Sequence, residues 1–161
     1  MSRMIETPPR PIDTKRLPIE KKPWGETWTE EATRTRLVKH LRVRRGGFSS
    51  LHYHKHSVNE FLVRTARLAV LVWLSDGVHV ITLEPGDRLE VPAGIPHQFF
   101  VLADGAVTEI YRPEEPLIEV SEDDIVRLSR NGKVDGKILT AVVQTAPQSL
   151  RSHLQHVEEA Q

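Results

Sequence analysis

The chain has 161 residues, 39% hydrophobic and 27% charged, which suits one soluble globular domain with a buried core and is short for two. Lysine plus arginine and aspartate plus glutamate each number 22, so no charge imbalance points to nucleic acid or an anionic membrane. The lack of cysteine excludes disulfides, thiolate nucleophiles and cysteine-ligated zinc, and leaves any metal to histidine and carboxylate. There is no apolar run near the N-terminus and no stretch of membrane-span length, so a cytoplasmic protein is expected.

Residues 1–20 hold Pro8, Pro9, Pro11 and Pro18 among charged residues and read as an extended or disordered arm. Lys22-Pro23-Trp24-Gly25 is a turn with a bulky anchor. Residues 33–43 alternate as a strand, with Leu37, Lys39, Leu41 and Val43 on one face and His40 and Arg42 on the other. Lys39 is the odd member of the inward face: it either lines a polar cavity or snorkels at a barrel mouth.

Gly46-Gly47 ends that strand, and residues 49–56 begin another. Residues 60–73 fit two strands bent near Thr65-Ala66, and Asp76-Gly77 marks a hairpin between 68–74 and 78–83. A turn at 84–87, a strand at 88–91 and a turn at 92–96 follow. Residues 98–102 and 106–111 are expected to pair across Asp104-Gly105. Short strands separated by turn residues define an all-β sandwich or barrel over residues 21–145. Ser121 ahead of acidic residues predicts a short helix ending near Asn131-Gly132. Residues 138–143 read as a last strand. The tail, 146–161, has Leu150, Leu154 and Val157 at helical spacing.

The chemistry lies in the histidines. Residues two apart on a strand share a face, so His52, His54 and His56 can look into one cavity. Glu60 follows as a carboxylate, and His97 arrives from another strand behind the turn-forming Gly86-x5-Pro92-x-Gly94-x2-His97. Three imidazoles and a carboxylate leave positions open on a transition metal, as catalysis requires. His40, His79, His153 and His156 read as surface or hydrogen-bonded imidazoles.

These two blocks resemble the motifs of the cupin superfamily. In words, the first is Gly, five residues, His-x-His, three or four residues, Glu, six residues, Gly; the second is Gly, five residues, Pro-x-Gly, two residues, His, three residues, Asn. The second matches from Gly86 through His97, with Val101 in place of the Asn. The first matches at His54, His56 and Glu60, but its closing Gly is missing, and Gly46 stands six residues before His52 rather than before His54.

Within the superfamily the chain is similar to the type II mannose-6-phosphate isomerase cupins, also found fused to mannose-1-phosphate guanylyltransferases. Pro23-Trp24-Gly25, Lys39, the run Ser50-Leu51-His52-Tyr53-His54-Lys55-His56 and Glu122-Asp123-Asp124-Ile125-Val126-Arg127 carry the likeness. It implies a small double-stranded β-helix (jelly-roll) barrel and the ligand set His54, His56, Glu60 and His97. His52 stands where that group has Gln, as a supporting group or an alternative ligand. The family's Arg-x-Glu-x-Trp, Arg-Ile-x-Asn and Tyr-Gly-Arg are absent, which argues for a relative with an altered substrate.

The resemblance implies a divalent transition metal (Mn, Fe, Zn, Ni or Co), a homodimer, and a metal-dependent enzyme of a sugar or sugar phosphate. An aldose–ketose isomerase, or a lyase through the same enediolate, is the leading expectation. Glu109 is a candidate base or else a surface residue, and Lys39 a candidate for the enediolate or a phosphate. An Fe(II) dioxygenase, with Phe61, Trp73, Phe99 and Phe100 as an apolar pocket or as core, is one alternative. A non-enzymatic sugar- or metal-binding module is the other.

Overall fold

A computed structural model describes residues 18–133, which contain thirteen strands and no helix. In chain order these are β1 (Glu20–Lys22), β2 (Gly25–Ala32), β3 (Leu37–Val43), β4 (Gly47–Phe48), β5 (His52–Tyr53), β6 (Ser57–Val63) and β7 (Arg67–Leu74). Then follow β8 (Gly77–Leu83), β9 (Arg88–Val91), β10 (His97–Ala103), β11 (Gly105–Pro113), β12 (Val126–Arg127) and β13 (Gly132–Lys133). Residues 1–17 of the arm expected at 1–20, the strand at 138–143 and the tail at 146–161 lie outside the described residues, while Glu20, at the end of that arm, opens β1.

One antiparallel sheet runs β1-β2-β3-β11-β6-β9. The other runs β12-β5-β10-β4-β13, with β7 pairing both β10 and β8. Period-two patterning decides what each sheet turns inward. On β10, His97, Phe99 and Val101 are buried while Gln98, Phe100 and Leu102 are only partly so. On β6, Phe61 and Val63 enter the core, so Asn59 shares their inward face and Glu60 takes the other. The core between the sheets includes Leu41, Phe61, Leu68, Leu83, Leu89 and Val101, and the rings of Trp24 and Phe99 pack in a T shape with centroids 5.4 Å apart.

The hairpin at Asp76-Gly77 is present, with Leu74 opposite Gly77. Strands β10 and β11 do not pair with each other, contrary to the sequence expectation. The chain crosses at Asp104 from one sheet to the other, β10 joining β7 and β11 inserting between β3 and β6. The helix expected after Ser121 is also absent. Its start signals are real, since Ser121 Oγ accepts from Asp123 N at 3.2 Å. The chain then extends as β12, where Val126 pairs with Tyr53 and Arg127 with His52. A helix of one or two turns is marginal alone, and pairing with a strand outweighs it.

Two glycines position the framework. Gly25 has φ +145°, and a Cβ there would lie 1.9 Å from the Arg42 carbonyl oxygen, so β2 can cross β3 closely only without a side chain. Gly94, at φ +79°, makes the turn before His97, and its N–H donates to the His54 carbonyl at 2.7 Å. That bond ties the two histidine-bearing segments together.

Candidate metal centre

His52 and His97 are directly opposed across β5 and β10, so their side chains emerge on the same face. His54 follows one alternation after His52. One nitrogen from each of the three buried rings lies within 4.8 Å of the others, a spacing that can hold a metal ion. The ring centroids of His52 and His97 are 4.6 Å apart.

The hydrogen bonds fix which nitrogen each ring offers. His52 Nδ1 lies 2.8 Å from the Ser50 carbonyl, His54 Nδ1 3.0 Å from that of Asp124, and His97 Nδ1 2.9 Å from that of Ile95. A carbonyl can only accept, so each Nδ1 carries the proton and each Nε2 keeps its lone pair. This outer bonding is the arrangement that orients metal-ligating imidazoles. Among the described residues His54 Nε2 is buried without a hydrogen-bond partner, so its lone pair is available to a metal ion. Burial, reinforced by the neighbouring His54, lowers the pKa of His52 to about 4. Burial also holds His54 below, and His97 well below, the ordinary histidine value. All three are therefore neutral at pH 7 and competent as ligands.

His56 and Glu60, expected as ligands, are not brought to this cluster. β5 ends at Tyr53, the alternation stops, and His56 is exposed. Glu60 lies on the outward face of β6, where Arg88 Nε meets its Oε1 at 2.6 Å. A one-residue offset on a strand reverses the face, and Asn59 takes the inward place. Its Nδ2 lies 3.2 Å from His97 Nε2. In this register the spacing reads Gly46-x5-His52-x-His54-x4-Asn59-x6-Ala66, which is similar to the first motif quoted above with Asn for Glu and Ala for Gly. The position of Gly46 signalled it in the sequence.

A cavity of ≈ 660 Å³ opens over the cluster, bounded by Trp24, Lys39, His52, His54, Glu109 and Tyr111 among others. Lys39 and Glu109 are opposite each other on β3 and β11. Leu37, Tyr111 and Asn59 form the next row, across β3, β11 and β6. The snorkelling alternative for Lys39 gives way to the cavity, where its Nζ pairs with Glu122 at 3.3 Å. Glu109 is buried, not on the surface, and accepts a short hydrogen bond from the Tyr111 hydroxyl. Burial raises its pKa, partly offset by Tyr111 and Lys39. Tyr111 is pushed well above the usual phenol value by burial and by the Glu109 charge. Its ring stands 5.0 Å from that of His54.

The segment 121–131 supplies Ser121, Glu122, Asp123, Ile125, Arg127 and Asn131 to the cavity wall. Asp124 pins it down: its carboxylate accepts from Lys55 N and His56 N, each at 3.0 Å. Asn59, Tyr111 and Asp124 escaped sequence reasoning, although Tyr111 stands two positions from Glu109 on the same strand face. Of the other histidines, His40 bonds Glu30 and Thr108, and the buried His79 bonds Asp76.

No family model and no curated protein matches the chain. Solved structures do. A point mutant of Bacillus subtilis oxalate decarboxylase superposes with a TM-score of 0.59 at 16% identity, over 71% of this chain and 31% of its own. The oxalate decarboxylase formate complex of Lactobacillus farciminis gives 0.58 at 18% identity, over 91% of this chain and 40% of its own. KdgF from Halomonas sp. gives 0.55 at 17% identity, over 63% of this chain and 93% of its own. The chain thus spans about a third of the Bacillus protein it matches. These likenesses establish the fold, a cupin barrel of two antiparallel sheets.

Proposed function

We propose that this chain is a metal-dependent cupin enzyme acting on a small oxygen-rich molecule, a sugar or sugar phosphate, by moving a proton between adjacent carbons. Aldose–ketose isomerisation is the simplest form, and elimination a close variant. The observation that carries it is Glu109, a buried carboxylate lining the same cavity as His52 and His54. A divalent transition metal (Mn, Fe, Zn, Ni or Co) held by His52, His54 and His97 would polarise substrate oxygens. Manganese has a precedent in the Mn(II) centres of Bacillus oxalate decarboxylase.

Glu109 takes and returns the proton. Burial strengthens it as a base, and the Tyr111 hydroxyl holds its Oε2. Lys39 faces an anionic substituent such as phosphate, exchanging Glu122 for it. The resemblance of Pro23-Trp24-Gly25 and Glu122–Arg127 to the mannose-6-phosphate isomerase cupins supports a carbohydrate. The dioxygenase reading is weaker, because Phe61 is core and Phe100 packs on Phe48; of the four aromatics only Phe99 reaches the cavity. A homodimer and a cytoplasmic location belong to the proposal, with light scattering and cell fractionation as their checks.

The test is deuterium exchange from solvent into a panel of aldose and ketose phosphates by Mn(II)-loaded protein. Exchange next to the carbonyl, reduced at least ~100-fold in Glu109→Gln, is expected. Absence of exchange across the panel, or an undiminished Glu109→Gln, overturns the assignment.

A further inference from the structure

We infer that Asn59 is the fourth protein donor to the ion, so that the site binds its metal with an entirely neutral ligand set. The inference rests on the reading of His52, His54 and His97 as ligands. Asn59 is wholly buried. Its Nδ2 approaches His97 Nε2, which carries the lone pair because Nδ1 is committed to Ile95. Among the described residues its Oδ1 is buried with no hydrogen-bond partner. One end of the amide thus caps a ligand nitrogen while the other is unsatisfied, which a buried polar group rarely tolerates.

A cation beside His97 Nε2 removes the lone pair that Nδ2 addresses and repels the amide protons. Turning the amide end for end presents Oδ1 to the ion and relieves the orphaned oxygen in the same motion. The two ends of an amide are almost equal in size, so the neighbouring Val91 and Tyr111 need not move. Glu60, the nearby carboxylate in sequence, is held on the far face by Arg88. Among the described residues no carboxylate, Glu109 included, belongs to the three-histidine group, so an ion held there with Asn59 keeps its full double charge. An anionic substrate oxygen, or a carboxylate or phosphate ligand, supplies the compensating charge.

The experiment titrates the metal-free full chain with Mn(II), following free Mn(II) by electron paramagnetic resonance, in wild type, Asn59→Asp and Asn59→Leu. Asn59→Asp should bind Mn(II) at least ~10-fold more tightly than wild type, and Asn59→Leu at least ~10-fold more weakly. Oxalate, as an anion probe, should bind Mn(II)-loaded Asn59→Asp more weakly than loaded wild type. Thermal melting guards against misfolding: Asn59→Asp should be destabilised without metal and gain more from Mn(II) than wild type does. Equal Mn(II) affinities in all three proteins, or an Asn59→Asp that Mn(II) does not rescue, overturn the inference. A wild type that binds no Mn(II), Fe(II), Zn(II), Ni(II) or Co(II) overturns instead the ligand reading on which it rests.

Discussion

His54 donates its Nδ1 proton to the backbone carbonyl of Asp124 at 3.0 Å, across 70 residues of sequence. Asp124 fixes the surrounding turn as well, through its carboxylate on Lys55 N and His56 N. One residue thus orients a ligand ring and holds the backbone that carries it. Asp124→Ala is expected to cost about 2–4 kcal/mol in urea unfolding and to weaken metal binding roughly 10- to 100-fold. Asp124→Asn, which keeps one acceptor, should lie between. An unaltered metal affinity in Asp124→Ala would show that the carboxylate's hold on Lys55 N and His56 N is not what keeps the Asp124 carbonyl in place against His54.

The register of the ligands gives a second prediction. His52→Ala and His97→Ala should each abolish stoichiometric metal in the purified, supplemented protein, whereas His56→Ala and Glu60→Gln should retain it. Metal content by mass spectrometry decides. Loss in His56→Ala with retention in His52→Ala would restore the register first expected from the sequence.

The pH dependence of the metal-free protein follows from His52, whose folded pKa of about 4 lies below the ordinary 6.5. Between those values the unfolded chain binds a proton that the folded chain does not, so stability falls as pH drops through this window. His52 alone should remove roughly 3 kcal/mol by pH 4. His54 and His97 act in the same direction. Glu109 has the opposite sign: with its pKa raised, its contribution is lost as pH rises above 4.5. Urea midpoints from pH 7.5 to 4 measure the sum, and His52→Gln should flatten the slope. A stability that rises on acidification would contradict the dominance of the histidines.

Gly25→Ala provides a test of the framework. The added Cβ would meet the Arg42 carbonyl at 1.9 Å on a backbone with φ +145°, so a loss of roughly 2–4 kcal/mol is expected. Gly77→Ala, where no atom lies within 4 Å of the new Cβ, bears only the conformational strain and should cost less.

Most of the barrel was legible because period-two patterning and turn chemistry act locally. The alternation of Leu37, Lys39 and Leu41 placed Lys39 inward correctly, and Asp76-Gly77 turned where it should. What local patterning does not encode is which strands pair. Nothing near Asp104 tells β10 and β11 to enter different sheets, and nothing near Ser121 says that Val126 will pair with Tyr53. The three-histidine group, His52, His54 and His97, differs from the expected ligand set for a related reason. His56 belongs to the alternation of His52 and His54 only if the strand continues, and it ends at Tyr53. Counting from Gly46 picks out His52 and His54, two of the three clustered histidines, and it brings Asn59 to the motif position of the carboxylate.

The dependence of His54 on Asp124 has a consequence for the order in which this molecule becomes competent. Closing a loop of that length costs entropy that grows only as the logarithm of its size, yet it must be met before the third imidazole is aligned. An ion can be captured in full only by a chain in which Asp124 and β12 have already docked on β5 and His54. Metal uptake during refolding should therefore follow the docking of β12 on β5, and the ion will mark molecules in which that pairing is in place.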